Sequence, residues 1–233
     1  MRPNGFLYPT SGNFTLHDPA KVSFIIDGFN LYHSVRKAEQ DLNRSTKWLN
    51  IKALCQSYLS TIGRHFNVYA VLEKIYYFSA IAYHMQSSDP DVPKRHKLYL
   101  RCLEDSGIII HLSRFKQKQV LCLNCGQKFI KHEEKETDVA IAMKVAELCI
   151  NDKSDIIVLV TGDTDLAPCI EFVKKYYPEK RIVFAFPYKR TNTQLQQMAD
   201  FSFRIRAQQY AKYQFSDPYT LSNGKQIKKP LSW

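Results

Sequence analysis

No stretch of the chain approaches the ~20 apolar residues needed to cross a bilayer. The opening MRPNGFLYPTSGNFTLHDPA also has no apolar core of the kind a signal peptide needs. No membrane role is expected. Internal repeats and low-complexity blocks are missing too. Acidic residues are scarce, with 22 Asp and Glu against 33 Lys and Arg, a formal net charge of +11. Such an excess favours polyanionic partners, nucleic acid above all. A disulfide framework is not expected either. Of the six cysteines, Cys55, Cys102, Cys149 and Cys169 fall inside expected core elements, the pattern of a reducing compartment, and a cytoplasmic location is expected.

What is present is ordinary globular composition: 45% hydrophobic and 24% charged residues, enough for one large domain or one domain with an appendage. Strand-like and helix-like segments alternate, which predicts an α/β fold with a mainly parallel sheet. Strands are expected at residues 22–26, 74–83, 108–112, 156–160, 181–186 and 201–205. Helices are expected at 31–42, 51–62 (after Asn50, a good N-cap), 93–105, 135–150, 166–176 and 193–199. Residues 1–20 read as an irregular arm, and 208–233 as a basic tail.

In open α/β sheets, sites form beyond the carboxyl ends of the strands. Asp27 ends the first strand, and Asp163 and Asp165 follow the fourth in VTGDTDLAP, so all three belong on one rim. Asp138 opens the helix in EEKETDVAIA. Each acid alone is equally well read as a turn or helix cap. Together their repulsion has to be offset, and a hard divalent cation bound by carboxylate oxygens does so. Such a site, facing a basic surface, suits phosphodiester chemistry. No candidate covalent nucleophile stands out, in keeping with attack by water.

FIIDGFNLYHS, EEKETDVAIAMKVAE and VLVTGDTDLAPCIEFVK, in that order and spacing, resemble the NYN-domain family, the LabA-like branch of the PIN-like ribonuclease superfamily. TQLQQMADFSFRI resembles the family's closing segment. The resemblance spans about residues 22–205. It implies a PIN-like three-layer α/β/α fold over residues 21–207 and Mg²⁺- or Mn²⁺-dependent cleavage of single-stranded RNA. By position, Asp27, Asp138, Asp163 and Asp165 would bind metal, with Asn30 a nearby polar group. Asp163 is expected to be the firmer ligand of its pair; Asp165 would bind through water or only cap. Thr161 and Thr164 would orient ligands or simply cap the turn. Other metal-site folds fit less well. A haloacid-dehalogenase-type site needs an Asp where Phe29 stands, a Toprim site a Glu on an earlier strand, and a MIDAS site Asp-x-Ser-x-Ser.

Residues 113–133 read as an insertion carrying Cys122 and Cys125 in a CxxC. This is either a metal-free hairpin or half of a structural zinc site, for which His132, His111, Cys102 or His96 would have to complete the ligands. Candidate phosphate contacts are Arg114, Lys116 and Lys118, alternating along one strand face. Further candidates are Lys94 and Arg95 with Lys97 and Arg101 on the preceding helix, and Lys189 and Arg190 on the acidic rim. Tyr32, Phe115 and Tyr188 are candidates for stacking on unpaired bases. The leading expectation is an endoribonuclease. The alternatives are a non-catalytic RNA-binding regulatory module and a flap- or defence-type nuclease that cuts DNA.

Overall fold

A computed structural model describes residues 18–86, 88–122 and 124–233; the expected N-terminal arm lies almost wholly outside these residues. Strand β1 (Ala20–Asp27) leads through α1 (Gly28–Leu42) and α2 (Ile51–Phe66) to β2 (Ala70–Ala80). Helix α3 (Asp91–Asp105) follows, then the long hairpin of β3 (Ile109–Leu121) and β4 (Lys128–Lys135), and α4 (Thr137–Ile150). The chain then alternates β5 (Ile156–Val160), α5 (Ala167–Tyr176), β6 (Arg181–Phe186), α6 (Thr193–Met198), β7 (Phe201–Arg204) and α7 (Ala207–Lys212). A small antiparallel pair, β8 (Tyr219–Thr220) and β9 (Gln226–Ile227), closes it.

The main sheet has the order β4-β3-β2-β1-β5-β6-β7, parallel throughout except for β4, which runs antiparallel to β3. β1, β5 and β6 are runs of branched and aromatic residues because both of their faces are buried. Phe24, Ile26, Val158 and Val160 point into one core with α1, α2 and α3. Ile25, Ile157 and Leu159 point into a second with α4 and α5. Two cores on opposite faces of one sheet make the expected three-layer α/β/α sandwich.

Three expectations about the elements need correction. The third strand continues through the expected insertion, because residues 114–121 pair with 128–135 as an antiparallel ladder. The fourth helix starts at Thr137 rather than Lys135, since Lys135 still pairs with Arg114 and Glu136 turns the chain at φ 78°. The basic segment expected as a tail is folded. The Phe215 amide donates to the Trp48 carbonyl at 2.9 Å, and Phe215, Leu221 and Ile227 are buried. The Trp233 ring lies 6.0 Å from that of Trp48. Its lysines mask these apolar residues in any composition average. Among the described residues, no helix is long and apolar enough to cross a membrane.

Candidate active site

The chain leaves β1 through α1 toward one face of the sheet and leaves β5 through α5 toward the other. β1 and β5 are neighbours, so the crevice at their carboxyl ends is the point where the strand order reverses, the usual place for a site in such folds. Asp27 sits at that point. Its Oδ1 accepts from the Asn30 amide at 2.9 Å, which caps α1, and its Oδ2 accepts from the Thr161 hydroxyl at 2.9 Å. Thr161, fully buried at the end of β5, also accepts from the Asp163 amide at 3.1 Å. Asp163 Oδ1 in turn accepts from the Asp165 amide at 3.1 Å. One hydroxyl therefore couples two acids that lie 136 residues apart.

The electrostatics record the crowding. Burial pushes the Asp27 carboxyl above its ordinary value; its hydrogen bonds to Asn30 and Thr161 oppose this, and the charge on Asp163 adds to it. Asp138, at the open edge of the site in the first turn of α4, is raised by partial burial, then by Asp163, Asp27 and Asp165. The four expected acids thus lie within one another's field. A fifth joins them. Glu134 near the end of β4 is raised by burial and by Asp27 and Asp138, although the Thr137 hydroxyl donates to its Oε1 at 2.5 Å. Sequence reasoning missed Glu134 because it stands in the doublet Glu133–Glu134. Strand alternation separates the two: Glu133 meets Lys131 and Lys135, while its neighbour turns to the acids.

An all-oxygen carboxylate set suits Mg²⁺ or Mn²⁺. Asn30 Oδ1, three residues after Asp27, is buried and has no hydrogen-bond partner among the described residues, so a further oxygen donor stands close by. In the present rotamers, no group of three or more His, Cys, Asp or Glu side chains among the described residues is arranged to hold a metal ion.

The same finding applies at the hairpin tip, where no third ligand joins the two cysteines among the described residues and the metal-free reading of the CxxC is favoured. Cys122 and Cys125 stand at the hairpin tip, where the Gly126 amide donates to the Cys122 carbonyl at 2.8 Å. The backbone of Cys125 and Asn124 holds the Cys122 thiol below its usual range. The four residues proposed to complete the site are engaged elsewhere. His132 stacks on His84 (4.2 Å), His111 stacks on Phe78 (4.7 Å), and Cys102 is in the core. His96 faces the Ser79 hydroxyl at 3.5 Å.

The expected phosphate-binding cations are mostly paired already. Arg114 and Lys116 reach Glu136 at 2.8 and 3.9 Å, and Lys118 reaches Glu133 at 3.8 Å. Lys94 pairs with Asp91, Arg95 with Asp89, and Lys189 with Asp41. The exposed pairs of Lys94, Arg114, Lys116, Lys118 and Lys189 are worth only about 0–1 kcal/mol, so these cations stay available to phosphate, whereas Arg95 is largely buried in its pair. Arg190 makes no ion pair among the described residues. It flanks an open depression of about 470 Å³ between α1 and the loop after β6, with His33, Arg36 and Lys37 on the opposite side. Gly162 packs so closely on that loop that a Cβ there would collide with the Arg190 carbonyl oxygen. The cations of α1 were not legible as a site because their helical spacing is also that of a solvated face.

The NYN domain family model matches residues 21–206. Among solved structures, a protein of unknown function from Vibrio parahaemolyticus, VPA0982, superposes with a TM-score of 0.50 at 19% identity. That match covers 83% of this chain and 97% of that one and shows the shared fold alone. MurG of Acinetobacter baumannii matches with a TM-score of 0.35 at 11% identity, covering 80% of this chain and 41% of that one, too distant to carry an argument. Comparison with curated proteins found no significant match.

Proposed function

The chain belongs to the NYN-domain family, a branch of the PIN-like nuclease superfamily, and from that premise we propose that it is a metal-dependent endonuclease hydrolysing phosphodiester bonds of single-stranded RNA. The observation that carries this reading is the gathering of Asp27, Asp138, Asp163 and Asp165 from three separate stretches of chain into one crevice, at an electrostatic cost seen in the raised Asp27 and Asp138. Structural caps do not need to meet. Asp27, Asp138 and Asp163 would hold Mg²⁺ or Mn²⁺, which would supply the neutralising charge and a more acidic water for attack on phosphorus. Asp165 contributes through water or as a cap, and Glu134 and Asn30 stand next to this set. Thr161 fixes the orientation of Asp27, so that one carboxylate oxygen is always turned toward β5. His33, Arg36, Lys37 and Arg190 grip the phosphates leading into the crevice without reading sequence. Cleavage by water leaves 5′-phosphate and 3′-hydroxyl ends.

The test is cleavage of labelled single-stranded RNA and matched DNA in Mn²⁺ or Mg²⁺, with and without EDTA, beside Asp165→Asn and Asp138→Asn. RNA should be cut, chelation should stop it, and both variants should be impaired. Activity that survives EDTA, or is unchanged in both variants, sinks the reading. Tight salt-dependent RNA binding with no product would turn it into a regulatory binding module. Cleavage of DNA alone would make it a DNA nuclease.

A further inference from the structure

A second cavity, of about 310 Å³, lies between α1, the end of β2, α3 and the hairpin. This is at the small end of the roughly 300–1,000 Å³ range of small-molecule sites. It shares a wall with the acidic crevice. Gly28, directly after Asp27, lines it so closely against Tyr77 that a Cβ there would fall 2.6 Å from the Tyr77 ring. On β4, His132 lines the cavity and Glu134, two residues on and so on the same strand face, joins the acids.

The lining defines the occupant by exclusion. Phe29, Tyr32, Phe115 and Trp233 give it an aromatic lining suited to a flat ring. Purely apolar ligands are disfavoured, because the stacked rings of His84 and His132 each keep a buried nitrogen, Nδ1 and Nε2, with no hydrogen-bond partner among the described residues. Charged ligands are disfavoured as well. The two cations at its edge, Lys47 and Arg95, already pair with Glu39 at 2.6 Å and Asp89 at 2.9 Å. Burial also holds His96 down to about 4, so its ring is neutral at physiological pH. What remains is a flat, uncharged heteroaromatic ring that can both donate and accept hydrogen bonds.

We propose that this cavity seats one unstacked nucleobase of the bound strand, next to the phosphate positioned over the acids. The inference rests on the nuclease reading for its location and adds a base preference at one position flanking the cut. A base withdrawn from its stack is held in this way, between aromatic faces and by hydrogen bonds to its edge.

The direct test needs no cleavage. The four ribonucleosides are titrated into the full chain in EDTA, with ribose as the control. Binding is followed by calorimetry and by tryptophan fluorescence, since Trp233 lines the cavity. At least one nucleoside should bind, and ribose should not. Phe115→Ala, which removes one stacking face, should weaken binding by about five- to hundredfold. Ala82→Trp, which fills the cavity while leaving those faces in place, should abolish it, both with unchanged circular dichroism. In Mn²⁺, an abasic substitution at one position beside the cut should slow cleavage more than at any other. The proposal is overturned if no nucleoside binds, if ribose binds equally, or if neither variant changes affinity. Nucleoside binding without cleavage would fail the nuclease reading and spare the pocket; cleavage without nucleoside binding would do the reverse.

Discussion

Replacing Asp138 by Asn separates a metal-binding acid from a helix cap more cleanly than any other change. Asp138 accepts no side-chain hydrogen bond among the described residues, so the substitution removes charge and little else. It relieves repulsion from Asp163, Asp27 and Asp165. Near the surface each like-charge neighbour costs roughly 0.2–0.5 kcal/mol, so the relief is about 1 kcal/mol. Against this, the first turn of α4 loses a favourable dipole interaction of about 0.3–1 kcal/mol. In EDTA the variant should therefore be as stable as the parent or up to about 1 kcal/mol more stable, roughly 0–4 °C in Tm for a chain of this size. With Mn²⁺ the order should reverse. At a hundredfold excess over Kd the parent gains about 2.7 kcal/mol, roughly 5–11 °C, while the variant, lacking a ligand, gains far less. Paired thermal melts with EDTA and with Mn²⁺ read both effects. A variant that melts several degrees lower in EDTA, or shifts as much as the parent in Mn²⁺, would refute the reasoning.

Three further outcomes follow from the same geometry. Because the folded state raises the Asp27 carboxyl, it binds a proton more readily than the unfolded chain; stability in EDTA should fall as pH rises from the ordinary carboxylate range through the raised value. Urea midpoints across pH should show this slope flattened in Asp27→Asn, whereas cleavage should fall in the opposite direction, as pH drops through the same window. Thr161→Val keeps the shape but strips the bridge from Asp27 Oδ2 and the Asp163 amide. It should cost about 1–3 kcal/mol in denaturant titrations and most of the activity, with Thr161→Ser restoring both, and wild-type stability in the valine variant would contradict the bridge. Gly162→Ala drives a methyl into the Arg190 carbonyl and should destabilise by about 1–3 kcal/mol while weakening RNA binding; a neutral effect would mean the two loops are not tightly packed.

Much of this architecture is written locally. The short length and β-branched content of the apolar run Ile156–Val160 favour a strand buried on both faces, and Asn50 starts α2 as an N-cap whose Oδ1 accepts from the Ala53 amide at 3.0 Å. Asp27 and Asp163 end strands that the order of elements brings side by side, so even their convergence was legible. The errors came where distant chain decides. Lys135 is drawn into a strand by Arg114, not into the helix that its neighbours favour. Lys189 is neutralised by Asp41, on a helix 148 residues away, so its availability to phosphate cannot be read from local charge. Phe215, Leu221 and Ile227 are too widely spaced to form a period, and only the exposed edge of the α1–α3 core gives them a place to pack.

The acidic centre and the cavity beside it divide along the same line. Four aspartates at strand and helix ends are a property of the chain, because secondary structure sets where each acid emerges. Glu134, the Thr161 bridge and the aromatic cavity belong to the fold. Each needs side chains from elements far apart in sequence to meet within a few ångströms, and only the register of the sheet and the packing of its two faces bring them there.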